Sequence, residues 1–133
     1  MPSDADRLGS RILIVEDDPL MQELLEVRLT LAGYRATLAR DGYHALERMR
    51  ENMPNAILLD INMPRMDGFT VLREMKKFGY LGKAPVMVLT ARNQPTDVQE
   101  AIRLGASDFL TKPFVAEVLL ARVARLLRRS PSQ

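Results

Sequence analysis

Short unbroken apolar runs alternate along the chain with longer segments in which apolar residues recur at helical spacing. ILIV (12–15), AILL (56–59), VMVL (86–89) and the shorter FL (109–110) are continuous rather than alternating. That is the pattern of parallel strands covered on both faces. A further strand, YRATLA (34–39), is the weakest of the set. Between the strands, Leu20, Leu24, Val27 and Leu31 repeat at i, i+4, i+7 and i+11, and Gly33 follows where a helix stop is expected. Asp41 stands as an N-cap before Tyr43, Leu46 and Met49, which repeat by threes. Val71, Leu72 and Met75 mark a third helix. TDVQEAIRLG opens with a capping-box pattern, Thr96 to Gln99, and ends at Gly105. Leu119, Leu120, Val123, Leu126 and Leu127 mark the last helix. Strand and helix taken in turn imply right-handed crossovers and one parallel sheet, an α/β fold of five β–α units.

Composition narrows the chemistry. The 133 residues, 47% hydrophobic and 27% charged, fit one domain with its own core, expected over residues 11–129 with loose extensions at 1–10 and 130–133. The absence of cysteine excludes disulfides, thiolate zinc sites and cysteine nucleophiles, and suits a reducing cytosol. His44 alone cannot build a metal cluster and is expected as a plain surface side chain on the second helix. The opening MPSDADRLGS has no apolar core of a signal peptide, and no run approaches the roughly 18 apolar residues of a membrane span. A cytoplasmic protein is expected. With 19 basic against 17 acidic residues, a net charge of +2 lends little support to direct nucleic-acid binding. Met63, Met66, Met75 and Met87 read as core or loop filler.

Charge placement says more than its total. In an open parallel sheet, loops and helix N-termini converge beyond the carboxyl ends of the strands, so chemistry gathers there. At that edge the first strand exits into Glu16, Asp17 and Asp18, the third into Asp60, the fourth into Thr90, and the fifth into Thr111 and Lys112. Any one such acid is an ordinary cap or turn former. Their conjunction on four strand ends is a site. Neighbouring carboxylates stay ionised only beside a cation, and oxygen-only ligands of this kind suit Mg²⁺ and phosphoryl chemistry.

ILIVEDDP, LLDINMPRMDG, VMVLTA and GASDFLTKPF, in that order, resemble the signature segments of the response-regulator receiver domain of two-component signalling. The resemblance covers about residues 11 to 129. It implies a flavodoxin-like, doubly wound five-stranded parallel sheet of order 2-1-3-4-5 flanked by five helices, as in the chemotaxis regulators. It implies that Asp60 is the phosphoacceptor, attacking the phosphohistidine of a sensor histidine kinase or phosphotransfer protein, or a small donor such as acetyl phosphate. Asp17 and Asp60 would ligate Mg²⁺ with the backbone carbonyl of Asn62, Glu16 holding a coordinated water. Lys112 would neutralise phosphoryl charge, Thr90 would donate its hydroxyl, and the Ala91 N–H would complete the cradle. Asp18 would cap a helix whose first residue is Pro19. The Lys112–Pro113 bond would be cis, Pro64 would pre-set φ after Asp60, and Gly68 would take a conformation other residues resist.

The resemblance also implies a switch. Thr90 moves toward the phosphoryl group, Phe109 turns inward, and the surface of the fourth helix, fifth strand and fifth helix changes for a protein partner. Phe109 stands where many relatives carry tyrosine, so only steric rotation remains available. Asn62 and Arg92 flank the phosphoryl site and would tune hydrolysis. Asp108 and Arg122 match one ion pair of the dimer interface of DNA-binding members, but Val98 and Val118 replace charged partners, so a homodimer network looks incomplete. Two readings follow: a stand-alone switch or phosphorelay protein, or the N-terminal regulatory domain of a DNA-binding transcriptional regulator. Arg122, Arg125, Arg128 and Arg129 on a late helix favour neither, because a helix C-terminus attracts cations anyway. Such a protein is no enzyme in the usual sense, catalysing only its own aspartyl phosphorylation and dephosphorylation. A phosphatase of the haloacid dehalogenase type would need a second acid two residues after the nucleophile on the first strand, whereas Asp60, Ile61 and Asn62 close the third.

Overall fold

The computed structural model describes residues 9–129, so the extension expected at 130–133 and all but the last two residues of the one expected at 1–10 lie outside the described residues. In chain order the elements are β1 (Arg11–Val15), α1 (Pro19–Leu31), β2 (Arg35–Ala39), α2 (Gly42–Glu51), β3 (Ala56–Leu59), α3 (Gly68–Lys77), a 3₁₀ turn (Tyr80–Gly82), β4 (Val86–Thr90), α4 (Pro95–Arg103), β5 (Asp108–Thr111) and α5 (Ala116–Arg128). The strands pair in the order β2-β1-β3-β4-β5, all parallel. Alternate residues feed two cores. Leu13, Val15, Ile57, Leu59, Val86 and Val88 pack with Met49, Leu72 and Met75 on one face. Ile12, Ile14, Leu58, Met87 and Leu89 pack with Leu25, Leu29, Leu119 and Val123 on the other. Burial on both faces is why these strands read as unbroken apolar runs. β2 is an edge strand with alternating partial burial, which is why its sequence is the least strand-like.

The helix over 19–31 forms, but its expected stripe faces solvent. Leu20 is 77% and Leu31 78% exposed, Leu24 and Val27 more than 40%, while Leu25 and Leu29 are buried. PLMQELLEVRLTL carries leucine on two faces, so spacing alone does not say which face meets the sheet. Likewise Tyr43 is exposed, and α2 is anchored by Ala45 and Met49. α4 begins one residue before the expected cap: Pro95 takes the first helical position, and the Gln94 N–H donates to Asp97 Oδ2 at 3.1 Å, leaving Thr96 inside the helix. Asp18 and Asp41 cap α1 and α2, Gly33 and Gly105 take positive φ at helix ends, Lys112–Pro113 is cis, and the four methionines named above are buried.

Gly68 is needed for a different reason from the one expected. Its φ is not in the left-handed region; Arg65, at φ 68°, makes that turn instead. A Cβ on Gly68 would lie 2.6 Å from the Asp60 carbonyl oxygen and 2.7 Å from the Ile61 Cα. Only a hydrogen lets the start of α3 sit against the backbone of the acidic loop. Because the obstacle is main chain, Gly68→Ala is expected to cost about 1–3 kcal/mol by denaturant unfolding.

At the far edge of the sheet, Arg122 and Arg125 each reach Asp108 at 2.9 Å, tying α5 to β5 within one chain. Burial alone would push the Asp108 carboxyl up. Hydrogen bonds from Arg125 and the Phe109 N–H, with the charges of both arginines, outweigh it and hold the group below the ordinary carboxylate range. A depressed native pKa gives stability that is present above the unfolded value, about 3.9, and lost as pH falls through the native one. Asp108→Asn is therefore expected to cost roughly 0.5–1 kcal/mol at pH 7, small because both guanidinium groups keep contact with water. The wild-type advantage in urea midpoint should begin to shrink as the pH falls below about 4 and vanish below the depressed native value.

Candidate functional site

β1 and β3 are neighbours in register, with Val15 opposite Leu59, so the residues that follow them emerge side by side. The Asp60 N–H donates to the Val15 carbonyl at 3.0 Å, which locks the two strand exits together. One oxygen from each of Glu16, Asp17 and Asp60 lies within 4.8 Å of the others. Glu16 and Asp60 are buried, at 2% and 6% exposure, and Asp17 is open to solvent. Lys112, arriving from the end of β5, donates to Glu16 Oε1 at 2.6 Å and to Asp60 Oδ2 at 3.4 Å. Asp60 Oδ1 accepts the Asn62 N–H at 3.2 Å, and Glu16 Oε2 accepts the Asp18 N–H at 3.2 Å.

Of the three clustered carboxylates, two, Glu16 and Asp60, share the Lys112 ammonium. Burial pushes the Glu16 carboxyl up; the Lys112 hydrogen bond pulls it back, and the Asp60 charge adds to the rise. Burial would lower Lys112, yet the hydrogen bond it donates to Glu16 and the charges of Asp60 and Glu16 raise it above the ordinary lysine value. Both groups hold protons more tightly than in water. The cluster is short of positive charge, and an oxygen-only donor set short of charge fits a hard divalent cation such as Mg²⁺.

The remaining residues named from the sequence sit on the neighbouring elements. Thr90 ends β4 fully buried, and its Oγ1 accepts the Arg92 N–H at 3.3 Å. Ala91 follows it, exposed. Phe109 is half-buried, packed against the core that holds Val86 and Val88 of β4. The Asn62 side chain is exposed beside Asp60. The Arg92 guanidinium is engaged elsewhere, 2.7 Å from Asp97 Oδ1 and 5.3 Å from the centre of the Phe69 ring. His44 is not a free surface side chain: it is partly buried, and its Nδ1 lies 3.2 Å from Arg40 Nη1.

Two contacts escaped the sequence reading. Glu16 meets Lys112 directly, across 96 residues of chain, a pairing that only the closeness of two strand exits creates. Arg65 pairs with the buried carboxylate of Asp41 at 3.1 Å, fastening the loop after Asp60 to the cap of α2. The sequence signal for the second was slight: an arginine in a loop and an acid already assigned to capping.

Comparison with known proteins fits this geometry. The family model of the response regulator receiver domain matches residues 12–124. Response regulator MprA from a Mycobacterium species is 43% identical over 120 residues, 90% of this chain and 51% of that protein, so the chain spans about half the length of such curated relatives. Among solved structures, the Vibrio cholerae chemotaxis protein CheY4 superimposes with a TM-score of 0.83 at 31% identity, covering 88% of this chain and 98% of that one. The BeF₃-activated N-terminal receiver domain of Klebsiella pneumoniae RstA gives 0.83 at 31% identity over 90% and 99%.

Proposed function

Because the chain belongs to the response regulator receiver domain family, a family of signalling modules, we propose that it is a phosphorylation switch with Asp60 as phosphoacceptor. The observation that carries this reading is the meeting of Glu16, Asp17, Asp60 and Lys112 at one sheet edge. An Asp60 oxygen forms a new P–O bond as the P–N bond of a kinase or phosphotransfer-protein phosphohistidine breaks, and the departing imidazole nitrogen takes up a proton. With acetyl phosphate the leaving group is acetate. Attack of water on phosphorus later returns the carboxylate and inorganic phosphate.

Asp17, Asp60 and the Asn62 carbonyl are the residues that would hold Mg²⁺, with Glu16 behind them. When bound, the ion supplies the positive charge that lets an anionic donor approach an anionic site. Lys112 balances phosphoryl charge, the Thr90 hydroxyl and Ala91 N–H bond its oxygens, and Phe109 follows Thr90 in changing the surface of α4, β5 and α5. These residues act as one module over 11–129 in the cytoplasm; among the described residues no helix is long and apolar enough to cross a membrane.

Two outputs fit the module. The match over nearly the whole of CheY4 supports a stand-alone switch acting by protein contact. The match to half of MprA supports a regulatory domain ahead of an effector in a transcriptional regulator, where dimerisation would use the same surface. In that case Asp108 must first leave Arg122 and Arg125 of its own chain. Incubation with Mg²⁺ and acetyl phosphate, followed by intact mass, tests the shared core of both. One added phosphoryl group, lost when Mg²⁺ is chelated beforehand, is expected; no added mass with Mg²⁺ present would overturn the assignment.

A further inference from the structure

Thr90 and α4 are separated by a four-residue loop, 91–94, and a loop of that length ordinarily absorbs a displacement at one end by small φ/ψ changes before the other end feels it. Here the loop is braced. The Arg92 N–H donates to Thr90 Oγ1 at 3.3 Å, the Arg92 Nε to Asp97 Oδ1 at 2.7 Å, and the Gln94 N–H to Asp97 Oδ2 at 3.1 Å. These three bonds join the end of β4, the loop and the first turn of α4 into one body.

We infer that the Arg92–Asp97 ion pair is the mechanical link by which an event at Thr90 moves α4. This deepens the phosphoacceptor reading and rests on it. Asp97 is buried, at 6% exposure, so parting it from its guanidinium strands a desolvated charge. The other contact of Arg92 is softer. Its guanidinium lies over Phe69, in the first turn of α3, and attraction to an aromatic face tolerates sideways movement. When Thr90 shifts, the arginine slides over Phe69 and keeps Asp97, and α4 travels with it. Helix capping alone does not require this arrangement, because the Gln94 N–H already has Asp97 Oδ2 without Arg92.

The test uses ¹⁵N-labelled protein with Mg²⁺ and beryllofluoride, a phosphoryl mimic, comparing wild type, Arg92→Gln, Asp97→Asn and the conservative Arg92→Lys. In wild type, amide shifts are expected around Asp60, at Thr90 and along Val98–Arg103. In Arg92→Gln and Asp97→Asn the shifts around Asp60 persist, and those along α4 shrink by about fivefold, the low end of ordinary coupling between sites. Arg92→Lys keeps a cation for Asp97 and should restore most of the α4 response. If Arg92→Gln moves α4 as wild type does, the link is overturned and Asp97 is only a cap. A wild type silent at Asp60 would instead remove the phosphoacceptor reading, and the link with it.

Discussion

Asp60→Ala is expected to abolish phosphoryl uptake entirely while leaving a folded protein. Of the three clustered acids, Asp60 is the one placed at the end of the central strand β3, with one oxygen toward Lys112 and the other on the Asn62 N–H. Glu16 is spent on Lys112 and the Asp18 N–H, and Asp17, though exposed, has no cation beside it among the described residues. A phosphoryl group on Asp60 would have the Lys112 ammonium beside it on arrival. Stability should change by no more than about 1 kcal/mol, because the lost hydrogen bonds are offset by relief of repulsion from Glu16 and Asp17. Intact mass after treatment with Mg²⁺ and acetyl phosphate reads the first effect and urea unfolding the second. A variant that still gains a phosphoryl group would move the nucleophile to Glu16 or Asp17.

The second large effect is expected at Lys112. Lys112→Met keeps most of the side-chain volume and removes the only ammonium that the described residues bring to Glu16 and Asp60. Charge developing on the phosphoryl oxygens then lacks its preorganised partner, and the labelling rate should fall by about 10²–10³-fold, the effect of deleting one donor to a developing anion. Stability should fall too, by about 1–3 kcal/mol at pH 7, because Glu16 is left buried without its cation. The native Lys112 pKa is raised, so its contribution is fully present below the unfolded value of about 10.4 and is lost as pH rises through the native one. The stability gap between wild type and variant should hold from neutral pH to about pH 10 and narrow above it. Added Mg²⁺ should also narrow the gap, since a divalent ion supplies missing positive charge, without restoring the rate. A variant labelled at the wild-type rate would remove Lys112 from the phosphoryl site.

Much of this was legible in the chain. Unbroken runs such as AILL and VMVL identified strands buried on both faces, and the polar residues that follow them, Asp60 and Thr90, marked the strand exits, although both are themselves buried. Local rules also located the caps at Asp18 and Asp41, where one side chain and one N–H decide the matter. They failed where two local solutions competed. In α1 the leucines offered two faces, and the sheet took Leu25 and Leu29. At α4 the proline at position 95 won over a capping box one residue further on.

By itself, then, the sequence determined the order and type of the elements and the chemical identity of the strand-end residues, since both follow from the spacing of apolar side chains along a few neighbouring positions. The tertiary structure alone decided which groups share charge and space. Lys112 chose Glu16, Arg65 chose Asp41, Arg92 bridged Asp97 and Phe69, and Gly68 was pressed against the Asp60 backbone. Most of these partners lie far apart in the chain, and the strength of each contact depends on burial and on distances of a few ångströms. No short-range pattern encodes those quantities; the parallel pairing of β1, β3, β4 and β5 creates them.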